Sequence, residues 1–297
     1  MAWTADELYG RDSAFLDGLD ERGESFVVEI PSNARVWLTK PEMLKRAEKY
    51  ASGKTKARPR LCKRDRKPRE VRKLAKHSPG FRNQAPQRYR IKDTHRGSEV
   101  WEIRWHICWR KSGGNKPFSN QCTLIVARNV LTGETKYFLS NRVPGRDGWT
   151  LRKILRVAFG RFPIEECFRE AKQELGFNHY ECRGWRCIHR HLYVAILSQL
   201  FCARVRQELT PSDDVFSGEL LTVEQVRRAA NVYLSTIDLP RRIRIASYQQ
   251  EADRQAYHSH RAAQAARSHH KTHRQRLAKL GIDPDKIKSV APKPAKC

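Results

Sequence analysis

The spacing of apolar residues changes several times along the chain. Phe15, Leu16 and Leu19 fall on one face of a helix over residues 13–19, and Gly23 supplies a stop. Phe26-Val27-Val28-Glu29-Ile30 is a nearly unbroken apolar run closed by Pro31, which predicts a short, mostly buried strand. A strand end before the helix completes a strand–helix–strand unit. Its short crossover predicts two parallel strands of an α/β sheet. Residues 99–143 are β-branched and aromatic. Runs at 100–109, 123–127 and 135–140 are separated by turns at Ser112-Gly113-Gly114-Asn115 and Leu131-Thr132-Gly133, which predicts antiparallel strands. From Gly148 on, helix dominates. Ile164, Cys167, Phe168, Ala171 and Leu175 form a stripe of helical period ended by Gly176, and an apolar helix covers roughly 186–207. Thr222, with Gln225 three residues on, reads as the capping box of a further helix.

Charge adds a partner class. The 297 residues hold 59 Lys+Arg against 32 Asp+Glu, a formal net of +27. That excess points to a polyanion, because each phosphate neutralised releases counterions. It is concentrated at 54–96, with 17 cations against 3 acids, and in a basic tail from Asp238 with five histidines. The first stretch reads as a basic arm, either a solvated linker or a phosphate-contacting arm, and the tail as mobile helix or disorder. The domain reading is 1–50 core remnant, 51–98 basic arm or linker, 99–147 β-rich insertion, 148–236 helical region and 237–297 basic tail. No apolar run is long enough for a membrane span, since 192–205 is broken by Ser198, Gln199 and Arg204. The first six residues lack the features of a signal peptide. A cytoplasmic, nucleoid-associated protein without membrane partner is expected. The eight cysteines form no CxxC pair and read as reduced thiols.

Arg161, Glu165, Phe168 and Lys172 fall within about 60° on a helix, so a carboxylate sits between two cations beside an apolar stripe. This suits a carboxylate ligand to a divalent ion flanked by phosphate contacts. It equally suits a salt-bridge ladder on an ordinary amphipathic helix. The wider stretch is Arg161-x3-Glu165-x6-Lys172, then Glu174-Leu175-Gly176-Phe177-x-His179-Tyr180-Glu181-x-Arg183-x-Trp185-Arg186. It resembles the C-terminal signature of bacterial insertion-sequence transposases of the DDE, RNase H-like superfamily, written Y-x2-R-x3-E-x6-K. Ala158 stands at the tyrosine position. Trp3-Thr4-Ala5-Asp6-Glu7-Leu8-Tyr9-Gly10 resembles the family's second-carboxylate motif, and residues 136–141 the strand before its final catalytic helix.

The resemblance implies an α/β (α+β) chain: a partial RNase H-like fold with an antiparallel β insertion and a helical C-terminal region. It implies DNA transposition by phosphoryl transfer at insertion-sequence ends. Asp6 and Glu165 would be catalytic carboxylates and ligands of Mg2+ or Mn2+, with Arg161, Lys172, Arg169, His179 and Arg183 on DNA. The family's first aspartate has no counterpart among the five residues before Asp6. An N-terminally truncated, poorly active chain with an unpaired strand at residues 2–5 is therefore expected. A second reading is a non-catalytic DNA-binding protein that pairs with a full-length transposase or with itself and modulates transposition. A third is a basic RNA-binding protein whose likeness is accidental. Three other signals carry less. Cys182-x4-Cys187-x-His189-x-His191 fits no common zinc spacing. The tail histidines extend the basic surface. Trp101, Trp105 and Trp109 share one side of a strand and read as sheet core before base-stacking platform.

Overall fold

The computed structural model describes residues 2–44, 52, 61–62, 67–94, 96–113, 117–209 and 221–290. In chain order the elements are β1 (Trp3–Ala5), α1 (Glu7–Gly10), α2 (Ser13–Glu21), β2 (Phe26–Ile30), β3 (Arg35–Trp37), β4 (Arg69–Glu70), α3 (Val71–His77) and α4 (Pro79–Arg82). They continue with β5 (Gln87–Thr94), β6 (Gly97–Arg110), β7 (Cys122–Asn129), β8 (Thr135–Ser140) and α5 (Leu151–Ala158). Last come α6 (Phe162–Glu174), α7 (Trp185–Leu209), α8 (Val223–Thr236), α9 (Arg241–Lys279) and β9 (Lys288–Ser289). Two compact units result: Met1–Arg161 with His269–Cys297, and Phe162–Ser268.

The first unit is mixed α/β around a 9-stranded sheet of order β1-β2-β8-β7-β6-β3-β4, with β5 on β6 and β9 on β5. This agrees with the α+β, RNase H-like expectation. β1 and β2 pair in parallel, Trp3 to Phe26 through Ala5 to Val28, as the short crossover predicts. β1 is the edge of the sheet. The strands of the expected β insertion do not stand apart. β8 pairs antiparallel with β2, and β7 and β6 follow, so they continue the same sheet.

Alternation along the strands supplies two apolar faces. Val27, Ile103, Ile125 and Phe138 pack under Ile154 and Leu155 of α5. Trp101 is buried in this face and Trp105 packs against it, as sheet core. Phe26, Val28, Leu124 and Leu139 turn the other way, against Leu16 and Leu19 of α2, Val71 and Leu74 of α3 and Phe81 of α4. Each such side chain contributes roughly 1.5–3 kcal/mol of transfer free energy when fully buried. A buried ionic group fixes α2 to the sheet: the Arg110 guanidinium lies 2.6 Å from Asp17 and 2.8 Å from Asp20. Asn141 donates to Asp20 and to the Glu24 carbonyl and accepts from the Phe26 amide.

Three expectations need correction. The stretch 51–98 is not an arm or linker in its described part. Over residues 67–94 it forms β4, α3, α4 and β5, with Val71 and Phe81 fully buried. Its charge count hid the apolar positions Val71, Leu74, Phe81, Tyr89 and Ile91, whose cationic neighbours point outward. Residues 51, 53–60, 63–66 and 95 of that stretch lie outside the described residues, as do 114–116 in the expected turn. The basic tail is likewise structured. α9 leads to Leu277, Ile282 and Val290, all buried, and β9 pairs with β5; residues 291–297 lie outside the described ones. Lastly, Cys182 and Cys187 are joined by a disulfide. Cys108 and Cys122, opposite each other on β6 and β7, remain thiols. Burial pushes the first well above its ordinary value and the second up to about 11. Cys297 lies outside the described residues.

The second unit is helical. Thr222 and Gln225 form the expected capping box at the start of α8. Its core is small: Cys202, Val223 and Val226, with Leu175, Val205 and Leu221 against them. Arg227 of α8 meets Glu174 of α6 at 3.2 Å. Of the apolar stripe on α6, Ala171 is buried, whereas Ile164 and Phe168 are exposed. Among the described residues no helix is long and apolar enough to cross a membrane.

Candidate active site

Asp6 follows directly on β1, where the chain turns from strand to helix. It is the N-cap of α1: one carboxylate oxygen accepts from the amides of Leu8 at 3.1 Å and Tyr9 at 3.3 Å. An aspartate suits that place because its short side chain meets amide groups that a helix start leaves unpaired. The other oxygen lies 3.8 Å from the Arg161 guanidinium, both side chains being partly exposed. Gly10 explains the Tyr-Gly pair that follows. A Cβ there would stand 1.9 Å from the Glu29 carbonyl oxygen, so α1 can lie this close to β2 only without a side chain at position 10. Tyr9 meets Phe15 with ring centroids 5.4 Å apart.

The remaining site residues belong to the second unit. Glu165 stands in the first turn of α6 and is exposed. Lys172, in the last turn of α6, is exposed as well. Arg169 is held by Glu166 at 2.9 Å and by Gln173 at 3.0 Å. His179 follows Gly176, whose φ of 65° ends the helix, and its amide donates to the Gly176 carbonyl. Arg183 is exposed between the two cysteines of the disulfide. The ring of His191 lies 2.8 Å from the Gly176 carbonyl.

The structure brings Asp6 and Arg161 together. Periodicity could not show this contact, because the two are far apart in sequence. Gly10 was visible only as part of a motif, without its steric cause. Oxygen donors such as Asp6 and Glu165 suit Mg2+ or Mn2+ in kind. In number they fall short: among the described residues no group of three or more His, Cys, Asp or Glu could hold a metal ion.

Residues 2–98 match the family model described as DDE superfamily endonuclease. The match contains β1, Asp6 and the α1 turn, and ends before α6 and Glu165. No curated protein matches the chain.

Proposed function

We propose, from the match of residues 2–98 to the DDE superfamily endonuclease model, that the chain is part of an insertion-sequence DNA transposase. Asp6 and Glu165 are its second and third catalytic carboxylates. Arg161 and Lys172 contact DNA phosphates, joined by Arg169, His179 and Arg183. The observation that carries this reading is the pairing of Asp6 with Arg161 at 3.8 Å. It links the residue that ends β1 to the arginine that opens Arg161-x3-Glu165-x6-Lys172. The match over 2–98, found independently of that C-terminal signature, counts against an accidental likeness.

On this reading, with Asp6 and Glu165 as its assigned carboxylates, the 297-residue chain binds DNA and does not cleave it. Loss of one ligand from a two-metal phosphoryl-transfer site misplaces both ions and removes most of the rate. The test is incubation of the purified chain with duplex DNA in Mg2+ or Mn2+. Binding without nicking is expected. Metal-dependent nicking that disappears in Glu165→Gln would contradict the inactivity while keeping the site. A second reading, a non-catalytic partner of a full-length transposase, is favoured by the net charge of +27. It predicts that the chain lowers transposition when co-expressed with such an enzyme.

A further inference from the structure

The long helix α9 has two unlike sides in the second unit. Its inward side is small and polar: Gln255 donates to the Gln225 carbonyl, Gln225 donates to Ser259, and Ala263 and Ala266 are partly buried. These bonds to α8 fix the rotation of the helix. They leave Arg254, His258, His260, Arg261 and Arg267 exposed. No acid lies between residues 254 and 267. Among the described residues, no carboxylate pairs with Arg254, Arg261 or Arg267, whereas Arg227 and Arg228 on α8 are paired with Glu174 and Glu224. Thirteen residues of helical rise spread these cations over roughly 20 Å.

We propose that this side of α9 is a docking surface for the phosphate backbone of duplex DNA, separate from the carboxylate-bearing helix. Its identification as a DNA surface rests on the transposase reading; its binding of a phosphate polyanion rests on the helix alone. Charge complementarity selects the occupant. Duplex DNA carries one negative charge per roughly 1.7 Å of axis, so arginines spread over this length, Arg254 and Arg261 along one line of the helix and Arg267 round its side, have several phosphates within reach. An anionic membrane fits less well, because a membrane-surface helix needs a large apolar stripe beside its cations. Over 254–267 the outward side offers Tyr257 as its one large ring. Arg suits phosphate, and with backbone contacts alone the surface reads no base sequence.

The experiment compares the full chain, the triple variant Arg254→Gln/Arg261→Gln/Arg267→Gln, the charge-preserving triple to Lys, and a control triple. The control neutralises Arg22, Lys76 and Arg96, which are exposed on the first unit. Affinity for random-sequence duplex is measured in EDTA over a range of salt, so that metal chemistry at Glu165 plays no part. The Gln triple should lose on the order of tenfold in affinity at 0.1 M salt, and its log K against log salt should flatten by about 2–3. The Lys triple should bind nearly as the parent does. Unchanged helicity by circular dichroism excludes misfolding. An equal loss in the control triple would overturn the surface in favour of bulk charge. Tighter binding to anionic lipid vesicles, lost in the Gln triple, would overturn the DNA assignment. Nicking assays can fail without touching either outcome, so the two proposals stand or fall separately.

Discussion

In the first unit, strands such as β7 bury side chains on both faces, and Leu124 and Ile125 are wholly enclosed on opposite sides of the sheet. In the second unit, α7 buries Ala195 and Cys202 while Tyr193, Leu197 and Phe201 are each more than half exposed. Both regions carry many apolar residues. They differ in what covers these residues: a sheet with helices on each side gives every second residue a partner, whereas a few helices around Cys202, Val223 and Val226 leave most of theirs without one. The buried ionic group follows the same division, since Arg110 is almost completely enclosed with its two aspartates. Asp6 belongs to the first region, at the end of the sheet's edge strand, and Glu165 to the second, on α6.

The comparison breaks most readily at matched leucines. Leu124→Ala should cost roughly 2–5 kcal/mol, as enclosed leucines do, and Leu197→Ala less than about 0.5 kcal/mol, as exposed positions do. Thermal or urea unfolding reads both; equal losses would show that α7 is covered in solution. Gly10→Ala meets the Glu29 carbonyl directly and should destabilise the first unit by several kcal/mol, on the order of the cost of a backbone shift in an overpacked core. Its readout is the unfolding midpoint together with protease resistance around β1.

Next in size is the α8 cap. Thr222→Ala should cost about 1 kcal/mol. Because the core around Val223 is small, the effect should fall on the second unit, seen as faster amide exchange in α7 and α8 and none in β6.

The smallest effect concerns acid. Burial pushes the Asp17 carboxyl up, but the Ser112 hydroxyl, Arg110 and the Gly113 amide outweigh it and hold it below its usual value. A carboxyl lowered on folding stabilises the native state above the unfolded pKa, near 3.8. That contribution is lost as pH falls through the lower folded value. Asp17→Asn should flatten the decline in stability of the first unit below about pH 4 and leave the second unit's profile unchanged.

Much of this was legible in the residue order. β2 and β8 lie where their apolar runs place them, and the parallel pairing of β1 with β2 followed from the short crossover. The capping box of α8 followed from two residues. Residues 67–94 were misread because cations outnumber the apolar residues that decide burial there. The tail is helical, one of the two alternatives its sequence left open, and the packing of its end through Leu277, Ile282 and Val290 was hidden for the same reason, since these residues are few but well spaced. Of the site, residue types were legible and partners were not. That Asp6 caps α1 and meets Arg161 depends on contacts that local spacing does not encode.

The central proposal is that Asp6 and Glu165 are both ligands of a divalent metal. Manganese binding followed by water-proton relaxation in the full chain, Asp6→Asn, Glu165→Gln and the double variant tests it most directly. The account predicts weak binding in the parent that either single substitution removes as completely as both together. Bound manganese that survives both substitutions, or is lost in two independent halves, contradicts it.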